Sequence, residues 1–382
     1  MDWIIGFIFL LIKLLVILVG LLLVAAYLVL VERKFLARLQ IRYGPNRAGK
    51  FGLLQPIADT VKMMVKEDTV PEAAEHTIFK LAPAVVAFTA LLMFAVVPLG
   101  RDITIGGYKI PLVITDLNVG LLFVFAMSAL GVYGVALGGW ASNSKYSLLG
   151  GIRGAAQMIS YELSLGLSLV PIVTLARSFS LVDIVNAQVD YPFILVQPVS
   201  FVIFIISAMA ESKRIPFDLP EAENELGAGY HTEYSGMRFG LFFLGEYVHM
   251  QVLGALTAVF FLGGWRGPLL PPVLWLFIKI ILVSLIMIWI RATLPRLRYD
   301  QLMDLGWKVL IPVSLGWFLL LAALREVSPE GTVGDSVRVI VISLMVAVVA
   351  AALFGAALRV SARNRADSVT GPRPTDKPGV SV

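Results

Sequence analysis

The 382-residue chain has no cysteine. Disulfides, thiolate-held zinc and iron–sulfur clusters are therefore excluded within it. Histidine is nearly absent as well: His76, His231 and His249 are the only three, which leaves a bis-histidine haem few possible ligands. Any electron transfer in which the protein takes part must use redox centres on a partner. Charge is also scarce, at 15% of residues against about 25% in an average soluble domain. That deficit excludes an ordinary soluble fold, and a hydrophobic content of 58% excludes disorder for the bulk of the chain. No cofactor fingerprint, metal-ligand set or nucleophile–base constellation stands out, so the chain is not expected to be catalytic alone.

Long apolar runs take the place of what is missing. A bilayer core needs about 20 apolar residues in a helix. Nine candidate spans meet or approach that need: Trp3–Val31, Ile78–Leu99, Val119–Gly139, Ala155–Ala176, Val199–Ala210, Phe239–Leu262, Val273–Ile290, Leu302–Leu324 and Val337–Leu358. The fifth is short as drawn and is expected to start near Phe193. Helical-period apolar faces without alternation argue against a β-barrel. The first span carries Asp2 rather than a basic leader and is too long for a cleaved signal peptide. The fold class is thus an all-α polytopic membrane protein with about nine transmembrane helices.

Lysine and arginine set the orientation. With the N-terminus outside, the inner segments hold 21 of these cations and the outer segments six, while Lys13, Lys80, Lys279 and Lys308 lie in or beside spans. The expected topology is N-out/C-in. Two inner loops are long. Ile41–Glu75 contains an amphipathic stretch, Leu53–Lys66, whose apolar positions Leu53, Leu54, Ile57, Val61, Met64 and Val65 follow helical spacing, which reads as a helix lying at the interface. The other, Glu211–Arg238, gathers Glu211, Asp218, Glu221, Glu223, Glu225 and Glu233, six of the 26 acids of the chain.

Glu162 and Glu246 fall inside predicted spans, about 10 Å from their ends at 1.5 Å per residue. A lone charged carboxylate there costs several kcal/mol, and burial among like charges raises carboxyl pKa values towards neutrality. A row of such acids suits proton movement. A solvated acidic face is the plain alternative for the loop, and a structural ion pair or interhelical hydrogen bond is the alternative for the two spans. Ile215-Pro216-Phe217, Leu219-Pro220, Leu226 and Tyr230 make the loop too apolar for free solvation. His249 follows Glu246 by three residues and can share its face, either as a local hydrogen bond or as a relay step. On the basic side, Arg33, Lys34, Arg38 and Arg42 precede a Gly44-Pro45-Asn46 turn signal, with Asp59 on the amphipathic helix and Arg291, Arg296 and Arg298 after the seventh span. These cations read either as topogenic anchors touching anionic lipid or as the mouth of a site for a lipophilic ligand with a polar head.

Three blocks carry a resemblance. Glu32-Arg33-Lys34 with Arg42-Tyr43-Gly44-Pro45-Asn46-Arg47 and Gly52–Asp59 form the first, Pro216–Glu223 with Ala228–Gly236 the second, and Arg296–Leu302 the third. Together they resemble the H subunit of proton-pumping NADH:quinone oxidoreductase (respiratory complex I), called subunit 1 in mitochondria, over roughly residues 5–325. The resemblance implies a bacterial plasma-membrane subunit with eight helices over residues 1–325. Val337–Leu358 would then be an extra C-terminal helix and 361–382 a cytoplasmic polar tail, expected to be disordered. The resemblance also implies that the chain frames the quinone entrance and part of the quinone chamber, and couples quinone reduction to proton translocation. Arg33, Arg42, Asp59, Arg214, Phe217, Asp218, Arg296 and Arg298 match the chamber and entrance set. Glu162, Glu211, Glu221, Glu223, Glu225, Glu233 and Glu246 match the coupling acids.

The implied partners are the peripheral-arm quinone-module subunits and the small and antiporter-like membrane subunits, with quinone and membrane lipid but no nucleic acid. No cofactor is implied on this chain: NADH, FMN and iron–sulfur clusters belong to partners, and quinone (ubiquinone or menaquinone) is the substrate. A membrane-anchor subunit of a membrane-bound hydrogenase or related coenzyme dehydrogenase shares the resemblance. A stand-alone secondary transporter is disfavoured, because the two long inner loops show no internal repeat. Gly227 departs from the valine common in the family, and so does the Tyr247-Val248-His249 run from its usual small or amide residues.

Overall fold

The computed structural model describes residues 2–327 other than 106, 107 and 222. The expected ninth helix, Val337–Leu358, and the tail 361–382 lie outside the described residues. The chain divides into two compact units, residues 1–323 and 324–382, and the architecture below is that of the first.

The order is α1 (Asp2–Leu39), α2 (Gln55–Val65), α3 (His76–Met93), a hairpin of β1 (Ile103–Ile105) and β2 (Tyr108–Ile110), α4 (Gly120–Ala141), α5 (Lys145–Ala176), α6 (Leu181–Asn186), α7 (Phe193–Val196), α8 (Pro198–Glu211), α9 (Glu223–Leu226), α10 (Gly236–Phe261), α11 (Pro272–Thr293), α12 (Tyr299–Asp304), a π-helical turn (Leu305–Leu310) and α13 (Ile311–Val327). The two strands pair antiparallel, Ile103 opposite Ile110. Among the described residues seven helical runs are long and apolar enough to cross a membrane: α1, α3, α4, α5, α10, α11 and the run from Tyr299. The chain is a polytopic helical membrane protein.

Three expected spans differ. The fifth is helical from Phe193 but breaks at Gln197 (φ −124°, ψ 50°), where Pro198 restarts it. The resulting 14-residue α8 is about 21 Å long, short of the roughly 30 Å core. The fourth starts ten residues before the expected Ala155, at Lys145, because Gly150, Gly151 and Gly154 are buried against α4 and the inner loop rather than forming a connector. Glu162 consequently sits about 25 Å along α5 rather than 10 Å from its end. The first span runs on to Leu39, so Glu32 and Arg33 are helical.

The centre of the unit is α10. From Gly245 to Phe261 nearly every residue except His249 is buried, the mark of a helix apolar on all sides and enclosed by others. It packs against α1, α2, α3, α8 and α11. Beside the acidic loop, Phe79, Ala82, Val86, Val135, Met158, Tyr230, Tyr234 and Phe242 form one buried cluster, with Phe79 and Tyr234 stacked at 4.0 Å. This cluster holds the acidic loop against the helices. The π-helical turn lies where the Tyr161 hydroxyl donates to the Leu302 carbonyl at 2.8 Å, a side chain inserted into the helical ladder. α2 keeps Ile57, Val61, Met64 and Val65 exposed, as is Leu54 just before it, an apolar face that the described residues leave uncovered.

Candidate functional site

Helix α8 ends in a left-handed turn: Lys213 has φ +54°, uncommon for a residue other than glycine. The turn sends Lys213 and Arg214 in succession into a cavity of about 330 Å³ bounded by α1, the Arg214–Glu221 segment, α10 and α11. Four cations line it (Arg33, Lys213, Arg214 and Arg291), as do four carboxylates (Glu32, Asp218, Glu221 and Glu246), with Tyr230, His231 and Tyr247.

Two networks organise these groups. Glu32, 2% exposed, accepts from the Tyr247 hydroxyl at 2.7 Å and from Arg214 Nη1 at 3.4 Å, and it pairs closely with Arg291 Nη1. Arg214 also lies over the Tyr247 ring at 4.2 Å. Burial works against the guanidinium charge, but the oxygens of Tyr247, Glu32 and Glu246 outweigh it and raise the Arg214 pKa further. In the second network Lys213 Nζ is 3.6 Å from Glu246 Oε1 and donates to the Tyr230 hydroxyl at 3.0 Å. Tyr230 Oη is 3.2 Å from Glu246 Oε1 and 3.4 Å from Glu221 Oε1. One hydroxyl proton cannot serve both carboxylates at once. Burial, then the Glu246 charge, push the Glu221 carboxyl well above the usual carboxylate range. Burial lifts Asp218 to about 6, against the pull of Arg296 and with help from Glu246. The proton held on Glu221 leaves four cations on the cavity wall against three carboxylates, an excess of fixed positive charge.

Beside this chamber lies an apolar groove of about 130 Å³ between α1, α2 and α10, lined by Ala25, Ala26, Val29, Pro56, Met63 and Gly240 among others. Arg33, Phe243 and Tyr247 line both spaces. At its rim Arg33 Nη1 pairs with Asp59 Oδ2 at 2.6 Å, and Gln55 donates to the other Asp59 oxygen at 2.9 Å. On the opposite side a small cavity of about 30 Å³ holds Ser128, Glu211, Lys213, Glu246 and His249 on its wall. Lys213 and Glu246 therefore face both the chamber and this inner cavity. Glu211, 2% exposed, accepts from Ser128 Oγ and lies within electrostatic range of Glu162 on α5.

The expected residues are thus distributed unevenly. Arg33, Arg214, Asp218, Glu221 and Glu246 meet at the chamber, with Asp59 at the groove and Glu211 and Glu162 beyond. Arg296 donates to the Asp218 carbonyl and so holds the loop from behind. Phe217 does not line the chamber but packs on Tyr161 at 5.7 Å. Arg42 is exposed and bonds Gln40 at 2.7 Å, and Arg298 is exposed beside Asp300. The three arginines at and after the end of α11 are therefore split between three places. Glu225 is on the surface, paired with Arg153 at 2.7 Å, whose hydrogen bond lowers its pKa, so it stands outside the buried row. Glu233 is half-buried, and the side chain of Glu223 lies outside the described residues. His249 turns from Glu246 to Glu211, with Nε2 3.5 Å from Oε1. Gly227 adopts φ +75°, a conformation in which valine is strained.

Sequence reasoning missed Glu32, Lys213, Tyr230 and Tyr247 as site residues, and named Arg291 only among the cations of the alternative mouth reading. It also missed Gln157, which donates to the carbonyls of Ala210 and Phe217 at 2.8 and 2.7 Å and fastens the loop to α5. Charged residues at span ends look topogenic in sequence, and tyrosines look like interfacial anchors, so only Glu32, an acid among cations, carried a usable signal. Among the described residues no group of three or more histidine, aspartate or glutamate side chains could hold a metal ion.

Residues 12–322 match the family model described as NADH dehydrogenase. The chain is 80% identical over 315 residues to the second-numbered H subunit of NADH-quinone oxidoreductase from Syntrophobacter fumaroxidans, covering 82% of this chain and 95% of the relative. It is 58% identical over 322 residues to the H subunit of the same enzyme from Syntrophotalea carbinolica, covering 84% and 98%. It is 63% identical over 302 residues to the second-numbered H subunit from Geobacter sulfurreducens, covering 78% and 92%. The chain belongs to the H-subunit family of NADH-quinone oxidoreductase, a membrane component of complex I.

Proposed function

We propose that this chain forms the quinone entrance and the membrane-facing part of the quinone chamber, and passes the electrostatic change of quinone reduction to a row of buried acids. The family makes it one subunit of an enzyme complex, without catalysis of its own. The observation that carries the reading is the continuity of an apolar groove with a polar chamber through Arg33, Phe243 and Tyr247. A lipophilic ligand keeps its tail in the apolar space while its head enters the polar one. The excess positive charge of the chamber suits a headgroup that gains electrons, since fixed charges aimed at developing negative charge stabilise it most in a dry site.

Removing protons from the chamber onto a reduced quinone leaves Glu221 and Glu246 negative, and Lys213 and Glu246 present that change to the inner cavity of Glu211. Glu162 continues the row. The partners in this reading are the peripheral-arm quinone-module subunits, which carry NADH, FMN and iron–sulfur chemistry, and the small and antiporter-like membrane subunits. The assembly sits in the bacterial inner membrane with this chain N-out/C-in.

Obstruction of the groove tests the entrance. Gly240 lies where an added Cβ would be 3.0 Å from Met63 Sδ, so Gly240→Leu fills the space between α2 and α10. Electron transfer from NADH to a water-soluble acceptor should persist in that variant, while reduction of a long-tailed quinone falls by about tenfold or more. Unchanged long-tailed quinone reduction would refute the entrance.

A further inference from the structure

We propose that His249 carries the proton between Glu246 and Glu211, a step that rests on the coupling function proposed above. The residue stands on α10 with its Nε2 3.5 Å from Glu211 Oε1, and this nitrogen is buried without a hydrogen-bond partner among the described residues. Its ring shares the wall of the inner cavity with Glu211, Lys213 and Glu246. Among the described residues of that wall Lys213 is the one lysine or arginine, and its ammonium is committed to Glu246 and to the Tyr230 hydroxyl. An ammonium so engaged holds charge well but is a poor proton conductor. The imidazole is both donor and acceptor, and it is the one side chain whose ordinary pKa lies near neutrality.

The groups facing the ring from the packed elements are few. α3 contributes Val86, Thr89, Ala90 and Met93 to the cavity, α4 contributes Met127, Ser128, Gly131 and Val135, and α5 contributes Met158. The titratable and charged ones are Glu211 at the end of α8, Lys213 just after it and Glu246 on α10, with Glu162 acting through Glu211. At about 30 Å³ the cavity has room for a water or two between them, since one needs roughly 10–15 Å³ by this measure. The step balances as follows. The neutral Glu221 carboxyl hands its proton through the Glu246 carboxylate to the imidazole, which becomes imidazolium and leaves Glu221 a carboxylate, and Nε2–H then passes a proton to the Glu211 carboxylate. The ring ends neutral, Glu211 ends neutral, and one proton has moved along the row. Lys213 remains charged and compensates Glu246 throughout.

The test uses the assembled complex in proteoliposomes, with His249→Gln retaining a hydrogen-bonding side chain that cannot titrate. Assembly is scored by electron transfer from NADH to a water-soluble acceptor, expected at the wild-type rate. Proton pumping coupled to quinone reduction should fall on the order of a hundredfold, the lower end for loss of an acid–base group in a proton step. Its pH profile should flatten, because a proton-carrying side chain has been replaced by one that cannot titrate. A purely packing role would lower the rate without flattening the profile. His249→Asn is measured alongside. Wild-type pumping and pH profile in either assembled variant overturn the relay, as does loss of assembly in both, which makes the residue structural. Glu211→Gln separates the two levels. If it too pumps normally, the coupling reading fails. If it is impaired while the His249 variants are normal, only the relay fails.

Discussion

Glu32 is the acid on which the chamber's charge balance depends, and its removal gives the most quantitative test. Three donors converge on it: the Tyr247 hydroxyl at 2.7 Å, Arg214 at 3.4 Å and Arg291 in close contact. They are not equivalent. The Arg291 side chain is 29% exposed and can turn towards water, whereas that of Arg214 is 8% exposed and cannot. Glu32→Ala therefore strands one buried guanidinium, for which the loss on breaking a buried pair is about 3–5 kcal/mol. Glu32→Gln keeps an acceptor for Tyr247 and should lose less, near the roughly 1.5–3 kcal/mol of a hydrogen bond to a charged group. Arg214→Met removes the stranded charge. The double variant Glu32→Gln/Arg214→Met should then be less damaged than the two single losses summed, by about 1–3 kcal/mol. The assay is a double-mutant cycle on the thermal stability of the purified complex, followed by the intact complex on native gels. Additivity within about 0.5 kcal/mol, or a Glu32→Gln complex as stable as wild type, would refute the argument that Glu32 and Arg214 neutralise one another.

Asp218 supplies a pH test. Its pKa is raised to about 6 by burial, so the folded chain holds this proton more tightly than the unfolded one. Its contribution to stability is present below the ordinary aspartate value near 3.8 and is lost as pH rises through about 6. Asp218→Asn should remove a transition near pH 6 from both stability and quinone reduction, and a transition of equal size in the variant would count against the assignment. The loop's backbone provides the last prediction. Gly229 has φ +61°, and a Cβ there would collide with the Pro220 carbonyl oxygen. Gly229→Ala should thus displace Glu221 and Tyr230 together and abolish stable assembly, measurable as loss of the complex from membranes. Normal assembly would show that the loop tolerates another path.

The sequence by itself determined the class. Long apolar runs and missing charge leave no folded solution except helices in a bilayer, because every backbone polar group there must be satisfied within its own segment. It also located the acidic loop and the amphipathic helix, since their patterns are local. Its long ordered motifs sufficed for the family. What it could not reach were choices made by packing between distant segments. Glu32, Arg214, Tyr247 and Arg291 lie up to 259 positions apart, and nothing in their local patterns couples them. Rotation about helix axes decided that His249 meets Glu211 on α8 rather than Glu246 on its own helix. The turn at Lys213 decided that two adjacent cations enter one chamber, while Glu225, four residues past Glu221, ends on the surface beside Arg153. A carboxylate's role depends on what surrounds it in space, because desolvation and neighbouring charge set its proton affinity. Only the tertiary structure supplies those surroundings.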